Sequence, residues 1–464
     1  MQNQPLSSAD AFEEALDYLY SFINFEMRPQ DRYMASKLDK TRPFQLMSLL
    51  GDPHNQYPSI HIAGTKGKGS TAAMCAYALR AAGLRVGLYT SPHLIDFRER
   101  IRILTPEDAD GRIAKEAFAD HMAAVKTAVS QLPGITWFEI LTAVAFRHFA
   151  REKVDIAVVE VGLGGRLDAT NVLKPIVSVI TSLSLDHTKL LGNTLTDIAY
   201  EKGGIIKPEI PVVIAPQAEE ARQKLIRLAV ERQSPLTEVG KDWQYTGQTL
   251  PKGGQTITIT RSPVPDFLPP GTTVSLPLLG RYQQDNAVTA LAALAQLHRY
   301  VPQLTVTAVQ QGFAQVQWPG RLQIVHLSPC ILVDCAHNPH AAQKLAESLQ
   351  ELFAYNRLFL IFGAPADKDV KGVLEPLLPL AETAVMTTSS HPRAAKPQDL
   401  AAIARELGHT VQTAADPAAS LHQIWPQLQP DDLVCITGSI VVVGDFLNQW
   451  QNLKNEESKL MIKD

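Results

Sequence analysis

The chain has 464 residues, 45% of them hydrophobic and 19% charged, a profile that excludes a disordered or fibrous protein and predicts two or three globular domains. A net charge of −4, from 43 Lys+Arg against 47 Asp+Glu, excludes the basic footprint of a nucleic-acid binder. No uninterrupted apolar run reaches membrane-spanning length, and the acidic, amphipathic N-terminus lacks the layout of a secretory signal.

Phe12, Ala15, Leu16, Leu19, Tyr20 and Ile23 recur at helical spacing, so the chain opens with an amphipathic helix that Ser8 or Asp10 can cap. A polar stretch, Arg28 to Arg42, leads to a short helix toward Leu50. Strands and helices then alternate, with strands expected at Ile60–Ala63, Arg85–Tyr89, Asp155–Val161, Ile176–Thr181 and Val212–Ala215. Several are near-continuous apolar runs, as in a parallel sheet covered on both faces. Between Trp243 and Leu276, short alternating segments such as Thr256–Thr260 stand among Gly and Pro and predict an antiparallel side sheet. An alanine-rich helix is expected over Asn286–Tyr300. Pro-Gly punctuation at Trp318-Pro319-Gly320-Arg321 marks a linker. A second series follows, with strands at Ile331–Asp334, Leu358–Phe362, Ala384–Thr388 and Leu433–Thr437.

The expected fold is α/β. A phosphate-loop domain with a mostly parallel sheet and a small antiparallel side sheet occupies residues 1–317, a linker residues 318–322, and a Rossmann-like α/β domain residues 323–464. The charged tail from Asn452 is expected to fray. Cys75, Cys330, Cys335 and Cys435 are scattered without CxxC pairs, which fits a reducing cytoplasm; Cys330 and Cys335 should pack on or beside a buried strand.

The most informative segment is Ile60-His61-Ile62-Ala63-Gly64-Thr65-Lys66-Gly67-Lys68-Gly69-Ser70. An apolar strand enters a glycine-rich turn, and a helix-compatible segment, Ser70 to Ala82, leaves it. Glycines let backbone N–H groups point inward, the helix N-terminus adds partial positive charge, and Lys68 adds a full one, so the order builds a phosphate cradle. Ser70 is placed to offer a hydroxyl to a phosphate-bound Mg²⁺. A glycine between Lys68 and Ser70 departs from the usual GxxxxGK[ST] spacing, and a glycine turn alone is often only a tight connection.

Other chemistry-bearing residues stand at carboxyl ends of expected strands, where ligands bind in parallel sheets. Glu160 ends Ile156–Glu160 and precedes the tight loop Gly162–Asp168; His187 follows Asp186 beyond the next strand; Ser91 follows Leu88-Tyr89-Thr90. Together Ser91, Glu160 and His187 make a coherent hard-cation set, although a lone His would be a weak one. Lys202 reads either as a solvated lysine or as a desolvated amine able to take up CO₂. Asp334 ends a strand and could bond a ribose hydroxyl. Asn338 could cap the following helix, and His337 could be a satisfied polar residue. Arg321 at the expected hinge could reach a phosphate or form an ion pair.

In order, the motifs Gly64–Ser70, Thr90–Leu94, Phe138–Thr142, Gly162–Asn171, Asp186–Thr188, Gly192–Thr194, Glu201–Lys207, Arg281–Ala287, Pro319–Arg321 and Asp334–Pro339 closely resemble the folylpolyglutamate synthase/dihydrofolate synthase family, the folate branch of the Mur-ligase-like amide ligases. The match runs from about residue 30 to residue 445. The resemblance implies an ATP-dependent ligase that joins glutamate to a pteroyl or folyl carboxylate through an acyl phosphate. It implies ATP and Mg²⁺ (two ions), small-molecule partners only, no nucleic acid or membrane, a cytoplasmic setting and a monomer. Carried over by position, Gly64, Thr65, Gly67, Lys68, Gly69 and Ser70 hold the triphosphate, and Asn286, Arg321 and Asp334 contact ATP. Ser70, Ser91, Glu160, His187 and carbamylated Lys202 serve the metals. Lys68, Lys202 and His337 are the catalytic set, and Phe138, Leu167 and Asp168 border the pterin pocket. Two residues depart from the family pattern, Lys66 for its usual Asn and Cys335 for its usual Gly; contacts from Lys37 to Leu50 stay unassigned. The rival expectations are a Mur ligase acting on a UDP-linked precursor, disfavoured because Gly64 comes too early for a preceding nucleotide domain, and a nucleotide-binding regulator without chemistry.

Overall fold

The computed structural model describes residues 8–24, 39–250 and 254–460. Most of the polar stretch Arg28–Arg42, and Lys37 with it, lies outside the described residues. The N-terminal amphipathic helix spans Ser8–Tyr20 and buries Phe12, Ala15 and Leu19.

The first sheet is assembled from β1 (Ser59–Ala63), β2 (Val86–Tyr89), β3 (Ile101–Leu104), β4 (Ile156–Glu160), β5 (Val177–Ile180), β6 (Val212–Ile214) and β7 (Leu236–Glu238). Their spatial order is β3-β2-β4-β1-β5-β6-β7, parallel throughout except for β3 against β2. The central strand β1 therefore lies between β4 and β5, and its carboxyl end opens between two crossovers that leave in opposite directions, where such sheets bind ligands. One face is covered by the helices Lys68–Ala81 and Arg281–Leu297; the other is covered by the N-terminal helix with Lys115–Val129 and Trp137–Arg151. The helix Lys68–Ala81 is rich in alanine because it is buried almost all round, with Arg281–Leu297 and Val306–Ala314 packed against it. The strands β8 (Gln244–Leu250), β9 (Gly254–Arg261) and β10 (Thr273–Leu276) form the antiparallel side sheet, whose inner residues Ile257, Ile259, Val274 and Leu276 join the same core.

The second large sheet contains β11 (Gln323–Leu327), β12 (Cys330–Val333), β13 (Leu358–Phe362), β14 (Thr383–Met386), β15 (Gln412–Thr413) and β16 (Leu433–Thr437), ordered β11-β12-β16-β13-β14-β15. Only β11 pairs antiparallel. Separate apolar clusters cover its two faces, completing the α/β architecture. Cys330 opens β12 and buried Cys335 follows it. Among the described residues no helix is long and apolar enough to cross a membrane.

Three differences from the sequence reading have local causes. The helix expected from Asn286 begins at Arg281, because Gln283 and Gln284 spend their polarity on buried partners, Ser70 and Gln255, and so conceal the inward face. The edge strands β3 and β11 are short and antiparallel, outside the apolar-run pattern. The final helix runs from Ile440 to Leu460, past Asn452, where the sequence reading assigned no element.

A close helix crossing supplies a test. A Cβ on Gly312 would overlap the backbone of Tyr77 and Ala78 in the helix that carries the phosphate loop. Gly312→Ala should cost about 1–3 kcal/mol of stability. An unchanged thermal melt would contradict this packing.

Candidate active site

The loop that leaves β1 is sewn to the end of β5: Thr65 and Lys66 each donate a backbone N–H to Ser182 O, at 3.0 and 3.1 Å. Thr65 Oγ1 donates to Ser184 O at 3.1 Å. Gly64 leaves no room for a side chain, since a Cβ there would overlap Thr181 Oγ1. Gly67 adopts φ +86° immediately before the helix that starts at Lys68, and a Cβ on it would overlap Asn286 Oδ1. The N-terminal turn of that helix thus presents N–H groups and Lys68 to one point. Behind it, Gln283 Nε2 donates to Ser70 Oγ at 3.2 Å and Asn286 Nδ2 to Gln283 Oε1 at 2.9 Å, which fixes the hydroxyl of the loop's last residue.

Glu160, 4% exposed, ends β4 beside this loop. Its Oε1 is 3.7 Å from Lys68 Nζ, and its Oε2 accepts the Ser91 N–H at 3.2 Å. Burial pushes its pKa up, and Lys68 pulls the other way. Lys202 is 5% exposed and donates from Nζ to Gly64 O at 2.9 Å. Burial, reinforced by the Lys68 charge, lowers its pKa to about 7, so much of it is a neutral amine near neutral pH. His187 sits in a left-handed backbone conformation at φ +50°, an unusual one for a side-chain-bearing residue. Burial lowers its pKa to about 4, leaving a neutral imidazole.

These groups suit a divalent cation shared with a phosphate. Ser70, Ser91 and Glu160 supply hard oxygen donors, His187 a free base form, and the desolvated carboxylate of Glu160 gains from a nearby cation. Among the described residues no three His, Cys, Asp or Glu side chains converge, so phosphate and water oxygens would complete the coordination.

From the second sheet, Asp334 follows β12 and receives the N–H groups of Leu322 and Ala336 on its two oxygens, each at 2.9 Å. It therefore pins residues 320–322, which pack closely rather than forming a loose tether, with Leu322 1% exposed. Arg321 beside it donates to Gly320 O at 2.9 Å and faces the cleft. His337 Nδ1 lies 2.9 Å from Cys335 O. Its pKa is lowered to about 3, first by the Lys66 charge and then by burial. Asn338 does cap the helix Pro339–Leu352, accepting the Ala341 N–H at 2.9 Å.

On the opposite wall, Thr136 and Glu139 form a capping box that starts the helix Trp137–Arg151, and Arg42 pairs with Glu139 at 3.0 Å. This orients Phe138, whose ring lies against Gly162. Asp168 accepts Leu163 N at 2.8 Å and the Thr170 hydroxyl at 2.5 Å, which shapes the loop bearing Leu167.

Every residue that the resemblance carries over to the nucleotide, the metals, the chemistry or the pterin pocket lines one cavity of about 820 Å³ between the two large sheets; Asn338, the helix cap, does not. The sequence reading assigned no role to Asp186, Gln283 or Lys368, which line it too. Asp186 is 3.4 Å from Lys66 Nζ, and Lys368 carries no ion-pair partner among the described residues. The signal for Asp186 was its place at a strand end beside His187; for Lys368 there was none. Gly67→Ala, strained at its positive φ and crowded against Asn286, should weaken nucleotide binding at least about tenfold. Titration calorimetry with ADP checks this, and unaltered affinity would contradict the cradle.

Comparisons with known proteins bear on the family and the overall fold. Residues 62–294 match the Mur ligase middle domain and residues 320–440 the Mur ligase glutamate ligase domain. A Bacillus subtilis relative named dihydrofolate synthase/folylpolyglutamate synthase is 32% identical over 441 residues, 94% of this chain and 98% of its own. A Haloferax volcanii relative, named probable bifunctional folylpolyglutamate synthase/dihydropteroate synthase, is 34% identical over 446 residues; the chain spans about half of its length, 50% against 95% of this one. Among solved structures, Mycobacterium tuberculosis folylpolyglutamate synthase complexed with ADP superposes with TM-score 0.83 at 33% identity, covering 95% of this chain and 98% of that one. Escherichia coli FolC in complex with DHPP and ADP gives TM-score 0.78 at 28% identity, covering 97% and 100%.

Proposed function

The chain belongs to the folylpolyglutamate synthase/dihydrofolate synthase family of Mur-type ligases, and from that premise we propose how its cleft works. It is an ATP-dependent ligase that joins L-glutamate to the carboxylate of a dihydropteroate or folyl substrate, releasing ADP and phosphate. The observation that carries the residue assignments is the single cavity that gathers phosphate loop, strand-end oxygens and second-sheet polar groups.

In this reading the loop Gly64–Ser70 and Lys68 hold the triphosphate, with Asn286 behind the loop and Arg321 and Asp334 reaching the nucleotide from the second sheet. Glu160, Ser70, Ser91 and His187 would hold Mg²⁺, and Lys202, as a carbamate, would support a second ion. Bound Mg²⁺ neutralises phosphate charge and orients the transferred group. Phe138 and the Leu167–Asp168 loop form the wall for the pterin end, so that the substrate carboxylate faces the phosphate loop. A carboxylate oxygen attacks the γ-phosphorus and ADP departs. The neutral amine of glutamate then adds to the acyl carbon, and the tetrahedral adduct expels phosphate, which leaves with the proton lost from nitrogen. The chain's contribution is alignment and cationic stabilisation by Lys68 and Arg321. Lys368, which carries no ion-pair partner among the described residues, faces the same cavity and suits a carboxylate of the incoming glutamate. We place the division between the two working domains at residues 318–322, the setting in the cytoplasm, and the active form as a monomer.

Glutamate-dependent phosphate release, compared between dihydropteroate and tetrahydrofolate with products weighed by mass spectrometry, tests the reading. Release with at least one is expected. Silence with both, in folded protein that binds ATP, would favour a regulator, and comparable turnover of a UDP-linked precursor would favour a cell-wall ligase. Lys68→Ala and Glu160→Ala should each lower kcat at least about 100-fold; near-normal kcat in either would remove it from the site. Lys202→Ala should be crippled yet partly restored by short carboxylic acids, and failure of that rescue would count against the carbamate.

A further inference from the structure

We propose that Lys66 is a positioning residue that holds His337 against the phosphate loop and latches the two halves of the cleft for the glutamate step. The proposal rests on the ligase reading above. Cys335 O can only accept, so His337 Nδ1 carries the proton across their 2.9 Å contact, and Nε2 is left as an acceptor. That nitrogen lies 3.4 Å from Lys66 Nζ, a group with only protons to give.

The same ammonium lies 3.4 Å from Asp186 Oδ2, which also receives Asn338 Nδ2 at 3.3 Å. Two side chains from the first-sheet half, Lys66 and Asp186, thus meet two from the second-sheet half, His337 and Asn338. Both sides of the junction are anchored. Lys66 N and Thr65 N are bonded to Ser182 O, Asp186 Oδ1 accepts the His187 N–H at 3.0 Å, and Asn338 caps its helix. Distances of 3.4 Å are those of a charge contact rather than a tight hydrogen bond. An isolated surface pair would be a poor candidate, but the Lys66 and Asp186 side chains are only 24% and 14% exposed. This four-residue junction depends on the reach and the charge of the lysine at position 66, whose one ammonium contacts both His337 and Asp186.

The consequence falls on the second substrate. Without the ammonium, His337 loses the group that fixes its Nε2, and the second-sheet half loses its charged tie to the loop. ATP keeps its own anchor in Lys68 and the loop N–H groups.

The test is a double-mutant cycle in the full chain, with melting and ADP binding as controls for folding. Lys66→Ala should raise KM for glutamate about tenfold or more while KM for ATP moves less than about threefold, and Lys66→Arg should recover part of the loss. Asp186→Asn, which keeps the shape, should shift KM for glutamate in the same direction. Lys66→Ala combined with His337→Gln should be no more than about twofold worse than His337→Gln alone. Multiplying effects in the double variant, or an equal rise of KM for ATP in Lys66→Ala, would overturn the proposal. Wild-type phosphate release separates the two levels: a silent wild type sinks the ligase reading, whereas an active wild type with independent effects sinks only the latch.

Discussion

Positive charge held out of water is the constraint around which the cleft is organised. Lys66, Lys68, Lys202 and Arg321 all face one cavity, and two of them show the strain of it. Burial and the neighbouring Lys68 charge draw Lys202 down to about 7; burial draws Lys66 to about 8, with Asp186 opposing and Lys68 assisting. Glu160, Asp186 and Asp334 offset part of this field, each held by donors that fix its orientation. Lys68 and Arg321, gathered with the inward N–H groups of the loop, make a place where a polyphosphate and a phosphorylated carboxylate are stabilised strongly.

The scaffold makes that concentration possible. Placing β1 between β4 and β5 brings the loop after one strand beside the carboxylate after another and the Thr181–Ser184 segment after a third. Close approach then demands glycine, as at Gly64 against Thr181 and Gly67 against Asn286. The second sheet contributes from its own strand end, where Asp334 ties Leu322 to Ala336 and so aims both Arg321 and His337 into the cavity. Neither sheet alone holds a complete set of groups for transfer of a phosphoryl group followed by attack of an amine.

Much of this was legible in the residues. A strand, a glycine turn and a helix in immediate succession carry the phosphate cradle in local sequence, and Glu160 and Asp334 are marked by their place after apolar runs. The α/β alternation and the antiparallel side sheet are likewise local patterns. What escaped depends on contacts between distant segments. Burial of Lys202, which the residues themselves left open against a solvated lysine and only the family resemblance favoured, comes from a loop 138 residues earlier in the chain, through its bond to Gly64 O. The first turns of the helix Arg281–Leu297 look polar because Gln283 and Gln284 point at buried polar partners. The meeting of Lys66 with His337 spans 271 positions and both sheets, and only the fold brings it about.

Activation of the substrate carboxylate as an acyl phosphate in this cleft can be followed through its oxygen atoms. Its most direct test uses a pteroyl or folyl substrate labelled with ¹⁸O in the reacting carboxylate, turned over with ATP and glutamate, with the released phosphate analysed by mass. Because the attacking carboxylate oxygen leaves bonded to phosphorus, one ¹⁸O should appear in each phosphate formed. Phosphate free of label, produced together with the amide product, would contradict the account.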